Sequence, residues 1–169
     1  MDTQESLARA EKILSDVAVS INRPEENRLD AVIPVEKLKE VVKTLRFDNH
    51  WGYLSAITAM DQPVYLVDET TRENLPVPGS GSLEVLYHFC EGAAVTTLRV
   101  VLPYDNPQVD SICDLLPGVS LYEREAMELL GITFTGTPDT SRLILPDSWP
   151  EGVYPLRKTF TGLDEKSKN

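Results

Sequence analysis

Between Val35 and Leu45 the apolar residues Val35, Leu38, Val42 and Leu45 form one stripe, with Glu36, Lys37, Lys39, Glu40 and Lys43 off it. That spacing predicts a helix packed by a single face. Pro34 suits its first turn, where a missing N–H costs nothing. A second amphipathic helix is expected over residues 2–17, with Leu7, Ala10, Leu14 and Val17 on one side and Asp2 with Glu5 as a capping box. Alternation then marks strands. They are a short one through Val17, Val19 and Ile21, one through Leu29, Ala31 and Ile33, and one from Trp51 to Met60 that closes at Asp61. Leu83 to Phe89 and Ala93 to Leu102 read as two further strands, joined by a hairpin turn at Glu91-Gly92. Pro76, Pro78, Gly79 and Gly81 make the region before Leu83 a turn-rich connection, with Val64–Val67 as a brief strand extension. Asn106-Pro107 is expected to open a helix containing Val109, Ile112 and Leu116, ended by Pro117-Gly118.

The stretch from Ser120 to Gly131 reads as a short helix with both ends specified. Ser120 would cap it, Glu123 would complete a capping box, and Gly131 would supply a left-handed C-cap. A short β segment, Ile132 to Phe134, follows. Beyond Gly136 no helical period continues, and four of the chain's 12 prolines, Pro138, Pro146, Pro150 and Pro155, fall there. These elements together predict an α+β fold, a two-layer helix-on-sheet domain with a mixed or antiparallel sheet, followed by an extended C-terminal tail. The expected boundary places the domain at 1–136 and the extended Pro-rich tail at 137–169, held by something other than its own core.

Composition narrows the function classes. A net charge of −11 and a pI near 4.6 disfavour a nucleic-acid surface and direct attraction to anionic lipid. The excess lies in residues 1–137, with 11 Lys/Arg against 22 Asp/Glu, while residues 138–169 balance at 5 and 5. No segment has a signal-peptide layout or the run of about 20 apolar residues that spans a bilayer, so any membrane association is expected through a partner. The two cysteines, Cys90 and Cys113, form no CxxC and read as inert buried thiols.

Candidate chemistry is sparse. Glu123, Arg124, Glu125 and Glu128 crowd into one helix, yet residues two apart point about 200° from each other, so Glu123 and Glu125 cannot serve one substrate atom. Arg124 and Glu128, four apart, can form an ion pair, though with the less favourable polarity. His88 in its alternating strand reads as a packed or hydrogen-bonded imidazole, and His50 as a surface or strand-edge residue. Pro78-Gly-Ser-Gly-Ser82 lacks the helix and Lys-Ser/Thr pair of a phosphate cradle. In the tail, Trp149, Tyr154, Leu156 and Phe160 need burial. They either fold back on their own domain or, the favoured reading, anchor in a partner's groove while Arg157 and Lys158 reach acidic groups there.

Together the motifs Glu123-Arg124-Glu125-x-x-Glu128-Leu-Leu-Gly131-Ile-x-Phe134-x-Gly136-x-Pro138-Asp139, Arg142-Leu-Ile-Leu-Pro-Asp-x-Trp149 and Tyr154-Pro155-Leu156-Arg157-Lys158 carry a resemblance. So do Leu54-Ser-Ala-Ile-Thr-Ala-x-Asp61 and Leu83-x-Val-Leu-Tyr-His-Phe89 upstream. The chain resembles the thirty-kilodalton subunit of respiratory complex I, the NADH-quinone oxidoreductase, and of related enzymes, from about Arg28 to Phe160. It departs from the usual pattern at Thr137, where a histidine or lysine is common, and at Ser141, where a basic residue or proline is common. The resemblance implies a cofactor-free structural subunit with no catalytic, cofactor or metal residues of its own. Iron–sulfur clusters, and a quinone, flavin or NiFe centre, would lie in partner subunits. It implies a peripheral place on the cytoplasmic face of the membrane, in the hydrophilic arm of an oxidoreductase that couples electron transfer to ion translocation. There the chain would dock on a large subunit resembling NiFe-hydrogenase catalytic subunits, beside iron–sulfur subunits. Glu123, Arg124, Glu125, Glu128, Gly131, Arg142, Trp149, Pro155, Leu156, Arg157 and Lys158 are the expected contact and signature positions. An energy-converting membrane-bound NiFe hydrogenase or a reduced-deazaflavin dehydrogenase is the near alternative. A free-standing ligand-binding domain, or an enzyme using the Glu123 carboxylates, is the remote one.

Overall fold

A computed structural model describes residues 2–163 of the chain. Helix α1 (Thr3–Leu14) starts at the expected capping box, where the Asp2 N–H donates to Glu5 Oε2 at 3.4 Å. Strands β1 (Ser20–Asn22) and β2 (Arg28–Val32) follow, and Pro34 leads into a continuous helical stretch. That stretch is a 3₁₀ turn at Val35–Lys37, helix α2 (Leu38–Lys43) and a π turn at Thr44–Asp48. Strand β3 (Tyr53–Gln62) continues into β4 (Tyr65–Val67), which returns as β5 (Asn74–Pro76) and β6 (Ser82–Glu91). Strand β7 (Ala94–Pro103) comes back from the turn at Gly92 as predicted. The chain then makes β8 (Gln108–Asp110), a 3₁₀ turn at Pro117–Val119, helix α3 (Ser120–Leu130) and β9 (Thr133–Thr135).

Five strands form one mixed sheet in the order β1-β2-β7-β6-β3. Only the β2–β7 pair is parallel, with Leu29 opposite Thr96 and Ala31 opposite Leu98. The strand period of two separates the faces. Leu83, Val85, Tyr87 and Phe89 of β6 and Ala94, Leu98, Val100 and Leu102 of β7 are buried in one core. Leu7, Ala10 and Leu14 of α1, Leu38, Val41 and Val42 of α2, and Ala126 and Leu130 of α3 complete that core from above. The arrangement is the expected two-layer α+β fold, and each large side chain buried this way is worth about 1.5–3 kcal/mol. Trp51 is fully buried ahead of β3 and donates its Nε1–H to Ser6 O of α1 at 2.9 Å, which ties the sheet to that helix.

The opposite face of the sheet is mixed, with Leu86, Val101 and Met60 among polar side chains. Arg99 on β7 bridges Asp30 on β2, at 2.6 Å, and Glu84 on β6. His88 lies between Thr97 Oγ1, at 3.0 Å, and Thr58 Oγ1, at 3.2 Å, which is the hydrogen-bonded imidazole expected. His50 is exposed, just ahead of Trp51.

Two local expectations need correction. The segment after Pro107 is not a helix: β8 pairs in parallel with β9, Val109 opposite Phe134. Val109 and Ile112 are buried, as a helical stripe would require, but by strand pairing and by a loop. Spacing alone cannot separate those cases. Nor does Ser120 cap α3. Its backbone is already helical (φ −50°, ψ −38°), because the 3₁₀ turn at Pro117–Val119 runs straight into the helix.

Candidate functional site

Helix α3 sends its charged side chains in three directions. Glu123, instead of closing a capping box, turns inward and is wholly buried. Its carboxylate accepts from Ser111 Oγ at 2.7 Å, the Ile112 N–H at 3.0 Å and Cys113 Sγ at 3.2 Å. These bonds explain the missing helix after Pro107, because the carboxylate takes the place of helical acceptors for that loop. Burial, with Glu123 alongside, pushes the Cys113 thiol up, so the group is a protonated donor with weak nucleophilicity. Cys113 is buried and Cys90 partly so, both free thiols.

Arg124 and Glu128 do not pair with each other; both reach the tail. Arg124 donates to Ser141 O at 2.9 Å and Arg142 O at 2.8 Å, and it bridges Asp139 at 3.1 Å. Glu128 accepts three consecutive backbone N–H groups, from Leu143 at 3.2 Å and from Ile144 and Leu145 at 2.8 Å. Desolvation alone would raise the Glu128 carboxyl, but the three N–H donors outweigh it and hold the pKa below its usual range. Two residues four apart are neighbours on a helix and can pair. Here the tail offers each of them several backbone partners instead.

The rest of the tail is braced in the same way. Arg142 donates to Pro146 O at 2.8 Å and to Trp149 O at 2.6 Å, and Trp149 Nε1 donates to Val153 O at 2.9 Å. The rings of Trp149 and Phe160 lie 6.2 Å apart. Pro155 is half-buried between Tyr154 and Leu156, where the Leu156 N–H reaches Leu129 O at 3.1 Å. Arg157 caps the end of α3 through Leu130 O at 2.9 Å and lies over the Tyr104 and Tyr154 rings, at 4.9 and 4.6 Å. The Lys158 N–H donates to Asp61 Oδ2 at 2.7 Å. Thus the described part of the tail has no helix or strand and lies along its own domain, while residues 164–169 of the expected tail are outside the described residues. Thr137 lies 3.9 Å from Cys113 Sγ, and Ser141 closes a turn on Asp139.

Sequence reasoning assigned no role to Asp61, Tyr104 or Ser111. Asp61 ends one of the upstream motifs, so its place was visible, but its partner, a backbone amide of Lys158, was not. Glu125 is left exposed on the rim of a groove of about 220 Å³, floored by Ile57, Ala59, Ala126, Leu129 and Leu156. Leu121, Ile144 and Leu156, each more than half exposed, and Leu143, at 39%, share the α3–tail region. Among the described residues, no group of three or more His, Cys, Asp or Glu is placed to hold a metal ion. No helix among them is long and apolar enough to cross a membrane.

Gly131 ties the helix end to the tail. It takes the left-handed conformation (φ 72°), and a Cβ there would lie 2.4 Å from the Tyr154 ring. Gly131→Ala should therefore destabilise the fold by about 2–3 kcal/mol, combining left-handed strain with the collision. In a Tyr154→Ala background the cost should fall to about 1 kcal/mol, the strain alone. Equal costs in both backgrounds, measured by urea titration, would remove the ring from the explanation.

A family model described as "Respiratory-chain NADH dehydrogenase, 30 Kd subunit" matches residues 31–166. Membrane-bound hydrogenase subunit beta of Pyrococcus furiosus is 42% identical over 90% of this chain and 81% of its own length. A subunit of the F(420)H(2) dehydrogenase of Methanosarcina mazei is 30% identical over 83% of this chain and 80% of its own length. Among solved structures, a chain of the membrane-bound sulfane sulfur reductase, an archaeal respiratory membrane complex, superposes with a TM-score of 0.65. That likeness covers 94% of this chain and 86% of the other at 21% identity, and it concerns the fold.

Proposed function

The chain belongs to the family of the respiratory-chain NADH dehydrogenase 30 kDa subunit, and from that membership we propose that it is a cofactor-free structural subunit of a complex I-like, membrane-bound oxidoreductase. Its work is to dock on the large catalytic or quinone-site subunit, one resembling NiFe-hydrogenase catalytic subunits, beside iron–sulfur subunits. Held in register there, those partners pass electrons in a reaction coupled to ion translocation, and this chain touches the membrane only through the complex, on its cytoplasmic face. One observation carries the reading. The signature charges Arg124, Glu128, Arg142 and Arg157 bind backbone groups of their own chain, while Leu121, Ile144 and Leu156 stay exposed around them. Groups bound to their own backbone fix a shape, whereas catalysis needs groups aimed at a reacting atom. Exposed apolar side chains on such a rigid base suit a protein–protein contact.

The 42% identity to a membrane-bound hydrogenase subunit supports a second reading, in which the assembly is an energy-converting hydrogenase. Both readings share one test. Deleting residues 138–169 should abolish co-purification of the chain with a tagged large subunit from its native host. Stoichiometric retention of the shortened chain would overturn the docking role of the tail. A metal or flavin found in stoichiometric amount on the purified chain would overturn the cofactor-free assignment.

A further inference from the structure

Strands β4 and β5 make a two-stranded sheet of their own beyond the end of the β3–β6 ladder. The ribbon is built, with its own fastenings at both ends. At the base the Val77 N–H donates to Val64 O at 2.8 Å, and Ser80 Oγ accepts from the Val64 N–H at 3.1 Å and donates to Val77 O at 2.7 Å. Gly81 (φ 80°) packs so closely there that a Cβ would lie 2.0 Å from Gln62 O, which sets the angle at which the ribbon leaves the sheet. At the tip, Asp68 Oδ1 accepts from the Thr70 and Thr71 N–H groups at 2.8 and 2.7 Å.

This ordered ribbon is apolar and uncovered. Val64 is 51% exposed, Tyr65 48%, Leu66 63%, Val67 59% and Leu75 47%. By the strand period, Tyr65 and Val67 share one face, and Val64 and Leu66, with Leu75 opposite Leu66, share the other. Both faces of a two-stranded ribbon therefore want burial, and such a ribbon is marginal in water by itself. The tip carries Asp68, Glu69 and Glu73 against Arg72, within a chain of net charge −11. A second copy would bring an acidic tip and an acidic body to the contact, and like charges face to face oppose pairing.

We propose that the β4–β5 ribbon is a docking finger, inserted into an apolar cleft with a Lys/Arg rim on another subunit of the assembly. The proposal rests on the subunit reading above, and it adds a second contact remote in sequence from the α3–tail surface.

The test places a photo-crosslinking benzoylphenylalanine at Leu66 in the full chain, expressed in the native host, with the crosslinked peptide identified by mass spectrometry. The expected product joins Leu66 to one subunit of the co-purified complex, at an apolar segment flanked by Lys or Arg. Glu69→Lys combined with Glu73→Lys should cut its yield about tenfold at low salt, by reversing the charge match. Both residues are exposed, and an unchanged melting temperature of the double variant confirms that its fold is intact. A crosslink to a second copy, a crosslink insensitive to the charge reversal, or none in a chain that still co-purifies would each overturn the finger and leave the subunit reading standing. A chain with an unaltered ribbon that never co-purifies overturns both.

Discussion

Replacing Glu123 by alanine should cost the fold about 3–4 kcal/mol, the largest effect expected of any single substitution on α3. Its carboxylate is wholly buried and gathers the Ser111 hydroxyl, the Ile112 N–H and the Cys113 thiol. Alanine leaves a buried N–H and hydroxyl without their acceptor, each costing about 1–3 kcal/mol, plus a small cavity. Ser111→Ala leaves the carboxylate its other partners but takes the acceptor from the buried Cys113 N–H, so it should cost about 1–3 kcal/mol. Because Ser111–Cys113 connects β8 to the turn before α3, the loss should also loosen the β8–β9 pairing. Urea and thermal unfolding would measure it, with a fall in melting temperature of about 10 °C expected for a chain of this size. A cost within about 0.5 kcal/mol of wild type, the range of ordinary surface changes, would mean that the cluster does not organise this loop.

The same residue shows where reading the chain from its letters succeeds and stops. The Leu83–Phe89 and Ala93–Leu102 strands, and their turn at Gly92, follow from alternation, because one face of β6 and β7 meets the helix-covered core along its length. The stripe Leu38, Val42 and Leu45 is equally legible, since one helix face meets one core. Val109, Ile112 and Leu116 keep helical spacing too, yet their backbone goes to β9 and to Glu123. What decides that segment lies 11 to 25 residues further on, outside any local window. Glu123, three residues after Ser120, likewise satisfies a capping-box pattern, and only the third dimension shows a better set of donors.

The site was legible as a set of positions more than as a set of roles. Arg124, Glu128, Arg142 and Arg157 stand out in the sequence, but their partners are carbonyls and amides, which every residue carries and no letter marks. Hence the spacing of Arg124 and Glu128 allowed an i,i+4 ion pair and gave no sign that both hold the tail. The aromatic tail residues needed burial, as composition indicated. Tyr154 finds it against Gly131 at the end of α3 and Trp149 against Phe160, while Leu156 stays 54% exposed on the surface proposed for docking.

Acidification should release this tail before the domain unfolds, and Glu128 should be the reason. Its pKa is held below the usual carboxylate range by the Leu143, Ile144 and Leu145 N–H groups, against desolvation. A depressed folded-state pKa means that the ionised group stabilises the docked tail fully above its free value, about 4.3, and ceases to do so as pH falls through the depressed one. The side chain is only partly buried, so solvent screening reduces the effect, and about 1–2 kcal/mol of tail docking is the scale expected. That corresponds to roughly tenfold or more in the protection of the Ile144 and Leu145 amides against exchange. Asp139 is also lowered, by the Ser141 hydroxyl and N–H with Arg124 nearby, and it too holds the tail, so an Asp139→Asn background isolates Glu128. In that background amide protection and protease resistance at 143–145 should hold from pH 7 to about 5 and fall steeply below about 4. Glu128→Gln keeps one acceptor oxygen but loses the charge, so the tail should be loosened already at pH 7 with the acid step gone. An acid profile unchanged by Glu128→Gln would detach the tail's docking from this carboxylate and return the attachment to Arg124 and Arg157.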